Sequence, residues 1–192
     1  LWHIMMHYYR YGLDEFAIAL GYKGEYIKRW MRDFTVMDGH MTVDTATGEV
    51  AVENDGVPNW KVHLIDTGNG TLTGGRIKRL APWLGNSTFM LTWGDGVSDV
   101  NLDTLLDFHR SHGKLVTMTA VRPPARYGHL EFEGDRVKEF TEKPQASEGW
   151  INGAFFVCEP QVFDYIEGDD VMWENEPLEQ LANEGQLMAF KH

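Results

Sequence analysis

The chain has 192 residues, 43% of them hydrophobic and 24% charged, the composition of a globular protein and not of a disordered or fibrous one. Its 17 Lys and Arg against 29 Asp and Glu leave a formal charge of −12, which argues against broad nucleic-acid or membrane binding. No apolar run reaches the roughly 18 residues of a membrane span, no signal-peptide pattern opens the chain, and a single cysteine, Cys158, excludes an internal disulfide and a multi-cysteine metal site. A reduced, cytoplasmic α/β domain covering residues 1–192 is expected.

Leu1, Ile4, Met5, Tyr8 and Tyr9 follow the helical period, and Gly12 sits where a C-terminal glycine belongs. Phe16 to Leu20 is a continuous apolar run, which predicts a strand buried on both faces. A second helix follows, with Tyr26, Ile27, Trp30, Met31 and Phe34 on one stripe, of which Trp30, Met31 and Phe34 are expected to pack in the core. Residues 41–53 predict a β-hairpin with a glycine turn, and Trp60 to Ile65 a strand leading into Asp66-Thr67-Gly68. Ile77, Leu80, Ala81 and Leu84 mark a helix that Pro82 should kink or end. Thr88 to Trp93 reads as a buried strand running into Gly94-Asp95-Gly96. A helix carrying Leu102, Leu105 and Leu106 and stopping at Gly113 comes next, then a strand from Leu115 to Val121. Short strands at 130–132, 137–141 and 151–157 precede two short helices, 160–167 and 177–183, and a strand at 187–190. Helix, strand and helix in alternation give one mixed-sheet α/β domain. Because residue 1 already reads as helix and the last strand has no closing element, the chain is expected to be a piece of a longer one.

Five segments invite chemistry. Asp95, between Gly94 and Gly96 at the carboxyl end of a strand, stands where open α/β sheets bind ligands, and a hard ion such as Mg²⁺ needs only one or two carboxylates there. The same triplet also serves a plain turn. Thr73-Gly74-Gly75-Arg76 opens a helix whose N–H groups could hold an anion or the edge of a base, with Arg76 adding a fork of donors, or it is a flexible lead-in. Lys143, stiffened by the following Pro144, could aim a charge at a phosphate, although Glu142-Lys143 is also ordinary surface. Asn152 could read a sugar hydroxyl, with Gly153 letting a ring pack on the backbone; a strand-start bulge is the alternative. Tyr127-Gly128 is an aromatic wall beside a gap, or a turn. His109 and His112 lack a third ligand at suitable spacing and are expected on a solvated face, and Cys158 has no nearby histidine and reads as a buried or neutral thiol.

In this order, these motifs resemble those of the sugar-1-phosphate nucleotidylyltransferases, and within them the cytidylyl branch. The resemblance runs through Leu1-Trp2-His3-Ile4-Met5, Gly21-Tyr22-Lys23-Gly24, Asp66-Thr67-Gly68, Thr73-Gly74-Gly75-Arg76, Gly94-Asp95-Gly96-Val97, residues 140–144, Ile151-Asn152-Gly153 and residues 173–178. It implies a Rossmann-like nucleotidyltransferase fold, with a mixed, mostly parallel sheet flanked by helices. The implied reaction joins CTP and glucose 1-phosphate into CDP-glucose, releasing pyrophosphate without a covalent enzyme intermediate. By the family pattern Asp95 holds Mg²⁺ and, with Lys143, does the catalysis. Thr73, Gly74, Gly75, Arg76 and Gly94 lie along the nucleotide. Tyr127, Gly128, Glu142, Lys143, Asn152 and Gly153 hold the sugar phosphate. A homo-oligomer is implied as well. The family has a glycine where this chain has Ala154, a change expected to be immaterial. Its glycine-rich triphosphate loop and second metal-binding aspartate are expected before Leu1 and beyond His192, so these 192 residues alone should be poorly active. Sibling enzymes using dTTP or UTP, a non-catalytic sugar-phosphate-binding subunit of the same fold, and a metal-dependent glycosyltransferase are the competing readings.

Overall fold

The computed structural model describes residues 1–37, 39–53, 58–123, 129–141 and 149–192. Helix α1 (Trp2–Tyr9) precedes β1 (Glu15–Leu20) and α2 (Gly24–Met37), followed by β2 (His40–Val43), β3 (Val50–Glu53), β4 (Lys61–Asp66) and α3 (Thr73–Leu84). Next are β5 (Phe89–Thr92), α4 (Leu102–His112), β6 (Val116–Val121), β7 (His129–Glu133), β8 (Arg136–Thr141) and β9 (Ile151–Cys158). A 3₁₀ helix at Pro160–Tyr165, α5 (Glu176–Asn183) and β10 (Leu187–Lys191) complete the order.

The chain divides into two compact units. The first comprises Leu1–Ser87 and Pro160–Gln180, the second Thr88–Glu159 and Leu181–His192. In the first, β1 and β4 pair parallel from Glu15↔Lys61 to Leu20↔Asp66. Gly12 takes the left-handed conformation that ends the α1 turn, at φ +77°. Phe16 to Ala19 are half-buried and only Leu20 is fully buried, so β1 is not the strand covered on both faces that its apolar run predicts. Its sheet has two strands among the described residues, which leaves one edge of β1 without a partner strand. The α2 stripe is likewise a boundary and not a core: Trp30 is 36% exposed, and Met31 and Phe34 are only half-buried. Trp30 stacks on Phe34, and Phe34 on Trp60, with ring centres 5.4 and 5.8 Å apart, so the aromatics cover one another at the surface. The β2–β3 hairpin forms as expected, turning at Gly48. Pro82 falls in the last turn of α3, where the missing N–H costs one hydrogen bond, and the helix runs on to Gly85, whose N–H donates to the Ala81 carbonyl.

In the second unit the strand order is β10-β6-β9-β5. Strand β10 runs parallel to β6, while β9 runs antiparallel to both β6 and β5. The carboxyl ends of β5, β6 and β10 and the amino end of β9 therefore share one edge. The core lies on β6 and β9, where Val116, Phe155, Phe156, Val157 and Cys158 are almost wholly buried. Edge strand β5 is half-buried throughout, another departure from the buried strand expected. Strands β7 and β8 form a separate hairpin. Helix α4 starts at Asn101, whose side chain accepts from the Thr104 N–H, and stops at a left-handed Gly113. Among the described residues no helix is long and apolar enough to cross a membrane.

Candidate active site

In the first unit, the amino end of α3 is bolted to residues 169–174. The Gly74 and Gly75 N–H groups both donate to the Val171 carbonyl, at 2.9 and 3.3 Å, and Leu72 N–H donates to the Asp169 carbonyl. A Cβ on Gly75 would stand 2.5 Å from the Asp169 Cα, and one on Gly74 2.7 Å from the Val171 oxygen. These glycines thus serve close backbone packing, which corrects the expectation that their N–H groups are open to an anion or a base. The Thr73 hydroxyl donates to Glu174 at 2.6 Å and accepts from the Trp173 N–H at 2.9 Å. Arg76 donates to the Thr67 hydroxyl at 2.6 Å and to the Leu20 carbonyl at 3.2 Å, at the carboxyl ends of β4 and β1.

Arg79, which sequence reasoning passed over, forms a two-point ion pair with Asp169 at 2.9 and 2.6 Å and also donates to the Thr67 carbonyl. The guanidinium holds the Asp169 carboxyl below its usual range, and Asp169 in return raises Arg79. The only sequence signal was its place one turn after Arg76. Beyond the carboxyl ends of β1 and β4 opens a cavity of about 410 Å³, with Gly21, Tyr22, Lys23, Lys28, Asp66 and Asn69 in its lining. That is where a parallel α/β sheet binds ligands.

In the second unit the Gly94-Asp95-Gly96 turn follows β5. Asp95 is exposed, a Cβ added to Gly94 or Gly96 would meet nothing within 4 Å, and neither glycine has a positive φ. Neither packing nor backbone conformation calls for glycine here, unlike at Gly74 and Gly75. On the same edge, Asn152 accepts the Ala154 N–H at 2.8 Å through its amide oxygen, so that oxygen is taken up by the chain's own turn. The space over Gly153 is filled by Thr119 and Val121, whose atoms would stand 2.7 and 2.9 Å from an added Cβ. The β6–β9 register shifts here, so the bulge is real and the expected open face for a sugar ring is not. Ala154 has φ +66°, a left-handed conformation that favours glycine. Arg122 and Lys191 also reach this edge, their cations 4.5 and 5.3 Å from the Trp150 ring centre. Tyr127, Gly128, Glu142 and Lys143 lie outside the described residues.

Among the described residues no cluster of three or more His, Cys, Asp or Glu could hold a metal. A protein cage for zinc or calcium is therefore not formed by them. A single exposed carboxylate between two unobstructed glycines does suit Mg²⁺, which takes one or two protein oxygens and fills its shell with water and phosphate. His109 is not on a solvated face, as expected of it, but 2% exposed, between Thr117 at 2.8 Å and Glu159 at 3.0 Å. Cys158 is buried, and burial beside Glu159 pushes its thiol far up, so it stays neutral.

A family model described as nucleotidyl transferase matches residues 64–187, more than half of the chain. The chain belongs to the nucleotidyl transferase family. It is similar to the glucose-1-phosphate cytidylyltransferases of Salmonella typhi and Salmonella typhimurium, each 42% identical over 193 residues, covering 100% of this chain and 75% of theirs. Its fold is that of HddC from Yersinia pseudotuberculosis (TM-score 0.65, 22% identity, 99% of this chain and 75% of that one). A UDP-glucose pyrophosphorylase solved with UDP-glucose matches too (TM-score 0.61, 14% identity, 98% and 76%). The Rossmann-like nucleotidyltransferase fold thus stands, and the relatives make this nucleotidyl transferase an enzyme of group transfer.

Proposed function

We propose that this nucleotidyl transferase joins CTP and glucose 1-phosphate, forming CDP-glucose and releasing pyrophosphate. The observation that carries the reading is the Gly94-Asp95-Gly96 turn at the carboxyl end of β5, an exposed carboxylate flanked by glycines with free space where side chains would stand, so that a metal-bound phosphate can come close. A phosphate oxygen of glucose 1-phosphate attacks the α-phosphorus of CTP, and the bond to the pyrophosphate oxygen breaks on the opposite side. No group on the protein is covalently modified. Two anions have to meet, so the protein's work is positioning and neutralising charge. Asp95 would hold Mg²⁺, which when bound withdraws charge from the phosphate oxygens.

In this reading Lys143 supplies the fixed cation for the sugar phosphate, Glu142 and Asn152 read sugar hydroxyls, and Tyr127-Gly128 walls the sugar. Thr73, Gly74, Gly75, Arg76 and Gly94 line the nucleotide. Because Gly74 and Gly75 are spent on Val171, their part is to shape the backbone and not to donate to the base. The 42% identity to two cytidylyltransferases over the whole chain supports CTP over dTTP or UTP. A homo-oligomer in the cytoplasm belongs to the same reading.

The test is pyrophosphate release by the full chain with Mg²⁺ and glucose 1-phosphate, offered CTP, UTP, dTTP or ATP in turn. Release with CTP well above the rest is the expected result. Preference for another nucleotide moves the protein to a sibling activity, and release with none of them favours a non-catalytic binding subunit.

A further inference from the structure

The Asp95 turn must travel. Strand β5 lies at one edge of the four-stranded sheet and β10 at the other, three strand spacings or about 14 Å away. Yet Asp99, four residues after Asp95, accepts a hydrogen bond from His192 Nε2 at 3.0 Å, and His192 directly follows β10. Residues 93–99 therefore cross the sheet's carboxyl edge, over the ends of β9 and β6. Seven residues reach at most about 23–25 Å when extended, which leaves slack for the turn at Gly94-Asp95 but not for wide wandering.

Both landing points are fixed. At the start Trp93 packs edge-on against Phe156, ring centres 5.7 Å apart. At the finish Ser98 accepts the Val100 N–H at 3.2 Å, and Val100 is fully buried. His192 itself is held in register, its N–H donating to the Ala120 carbonyl at 2.9 Å. Its ring is a half-buried post, 31% exposed, while the Asp99 side chain is 98% exposed. A polar contact that open adds little to stability, so its consequence is geometric.

We propose that Asp99 and His192 are positioning residues: their hydrogen bond straps the Gly94-Asp95-Gly96 turn across the carboxyl edge of the sheet and so aims Asp95 at its metal. The proposal rests on the reading of Asp95 as the Mg²⁺ carboxylate. Such a strap can change metal affinity by no more than the exposed pair itself contributes, about fivefold at most. The strap leaves the core alone, so the same variants keep the parent's thermal midpoint.

The experiment measures Mn²⁺ binding by electron paramagnetic resonance in the full chain with CTP, for the parent, Asp99→Asn, His192→Gln and the double variant. Each single variant is expected to weaken Mn²⁺ by about three- to fivefold, the double no more than either, and Asp99→Glu to recover most of the affinity. Michaelis constants for glucose 1-phosphate should move less than about twofold, because the strap acts on the metal carboxylate. Variants that bind Mn²⁺ within about twofold of the parent, or lose affinity only together with thermal stability, overturn the strap alone. A parent that binds no Mn²⁺ with CTP, and loses nothing on Asp95→Asn, overturns the metal reading and the strap with it.

Discussion

Ala154 carries a Cβ at φ +66°, a conformation that favours glycine. Ala154→Gly relieves that strain but frees the unfolded chain, and the net expected is a gain of up to about 1 kcal/mol in urea unfolding. Gly75 and Gly94 separate two reasons for being glycine. Gly75→Ala drives a Cβ to 2.5 Å from the Asp169 Cα, backbone that cannot step aside, so a loss of about 1–3 kcal/mol is expected. Gly94→Ala meets nothing within 4 Å, and its stability should stay within about 0.5 kcal/mol of the parent. Pyrophosphate release should nevertheless fall by about a hundredfold if phosphate approaches over that glycine. Unchanged release in Gly94→Ala would make the turn ordinary. Which residues are glycine was plain in the sequence. What each glycine touches was not, because the contact of Gly75 with Asp169 joins positions 94 apart.

At the scale of elements, α4 is tied to β6 and to the end of β9 by a hydrogen-bond relay with an assignable direction. The Lys114 N–H donates to His112 Nδ1 at 2.9 Å, so His112 carries its proton on Nε2 and donates to the Thr117 hydroxyl at 2.7 Å. Thr117 passes its own proton toward His109 Nδ1, and His109 Nε2–H donates to Glu159. Burial, with His109 and Lys114 nearby, lowers the affinity of His112 for a second proton. Above pH 6.5, its ordinary value, His112 is neutral in both folded and unfolded chains. As pH falls below that, the unfolded chain takes the proton first and stability is lost until the folded ring follows. Urea midpoints should therefore decline below about pH 6.5, and His112→Asn, which keeps an acceptor but does not titrate, should flatten that decline. A parallel decline in the variant would exclude His112 as the cause. The α4 boundaries were legible because Asn101 and Gly113 are local signals. The burial of His109 was not, since it depends on Thr117 and Glu159, which another strand order would have placed elsewhere. Strands β1 and β5 teach the same point: their apolar runs marked them as strands, but burial follows from neighbours, and each lies at a sheet edge.

For the whole molecule, the charge of −12 opposes the arrival of the two anions that the proposed reaction would join. At an ionic strength of 0.01 M the screening length is about 30 Å, so a substrate phosphate feels the acidic surface of the entire molecule; at 0.15 M it is about 8 Å, and only groups beside the site count. In the second unit such cations are Arg122 and Lys191, against Trp150 on the sheet edge that Asp95 follows. Salt should thus remove a long-range repulsion while sparing a short-range attraction. The expected outcome is a kcat/KM for glucose 1-phosphate that rises between 0.01 and 0.15 M ionic strength, at fixed free Mg²⁺ and saturating CTP, and then levels off. A steady fall over that range, the usual signature of steered association, would mean that the local cations govern the approach even at distance. Replacing Arg122 and Lys191 with neutral residues should steepen the rise, because less attraction then remains to offset the net charge.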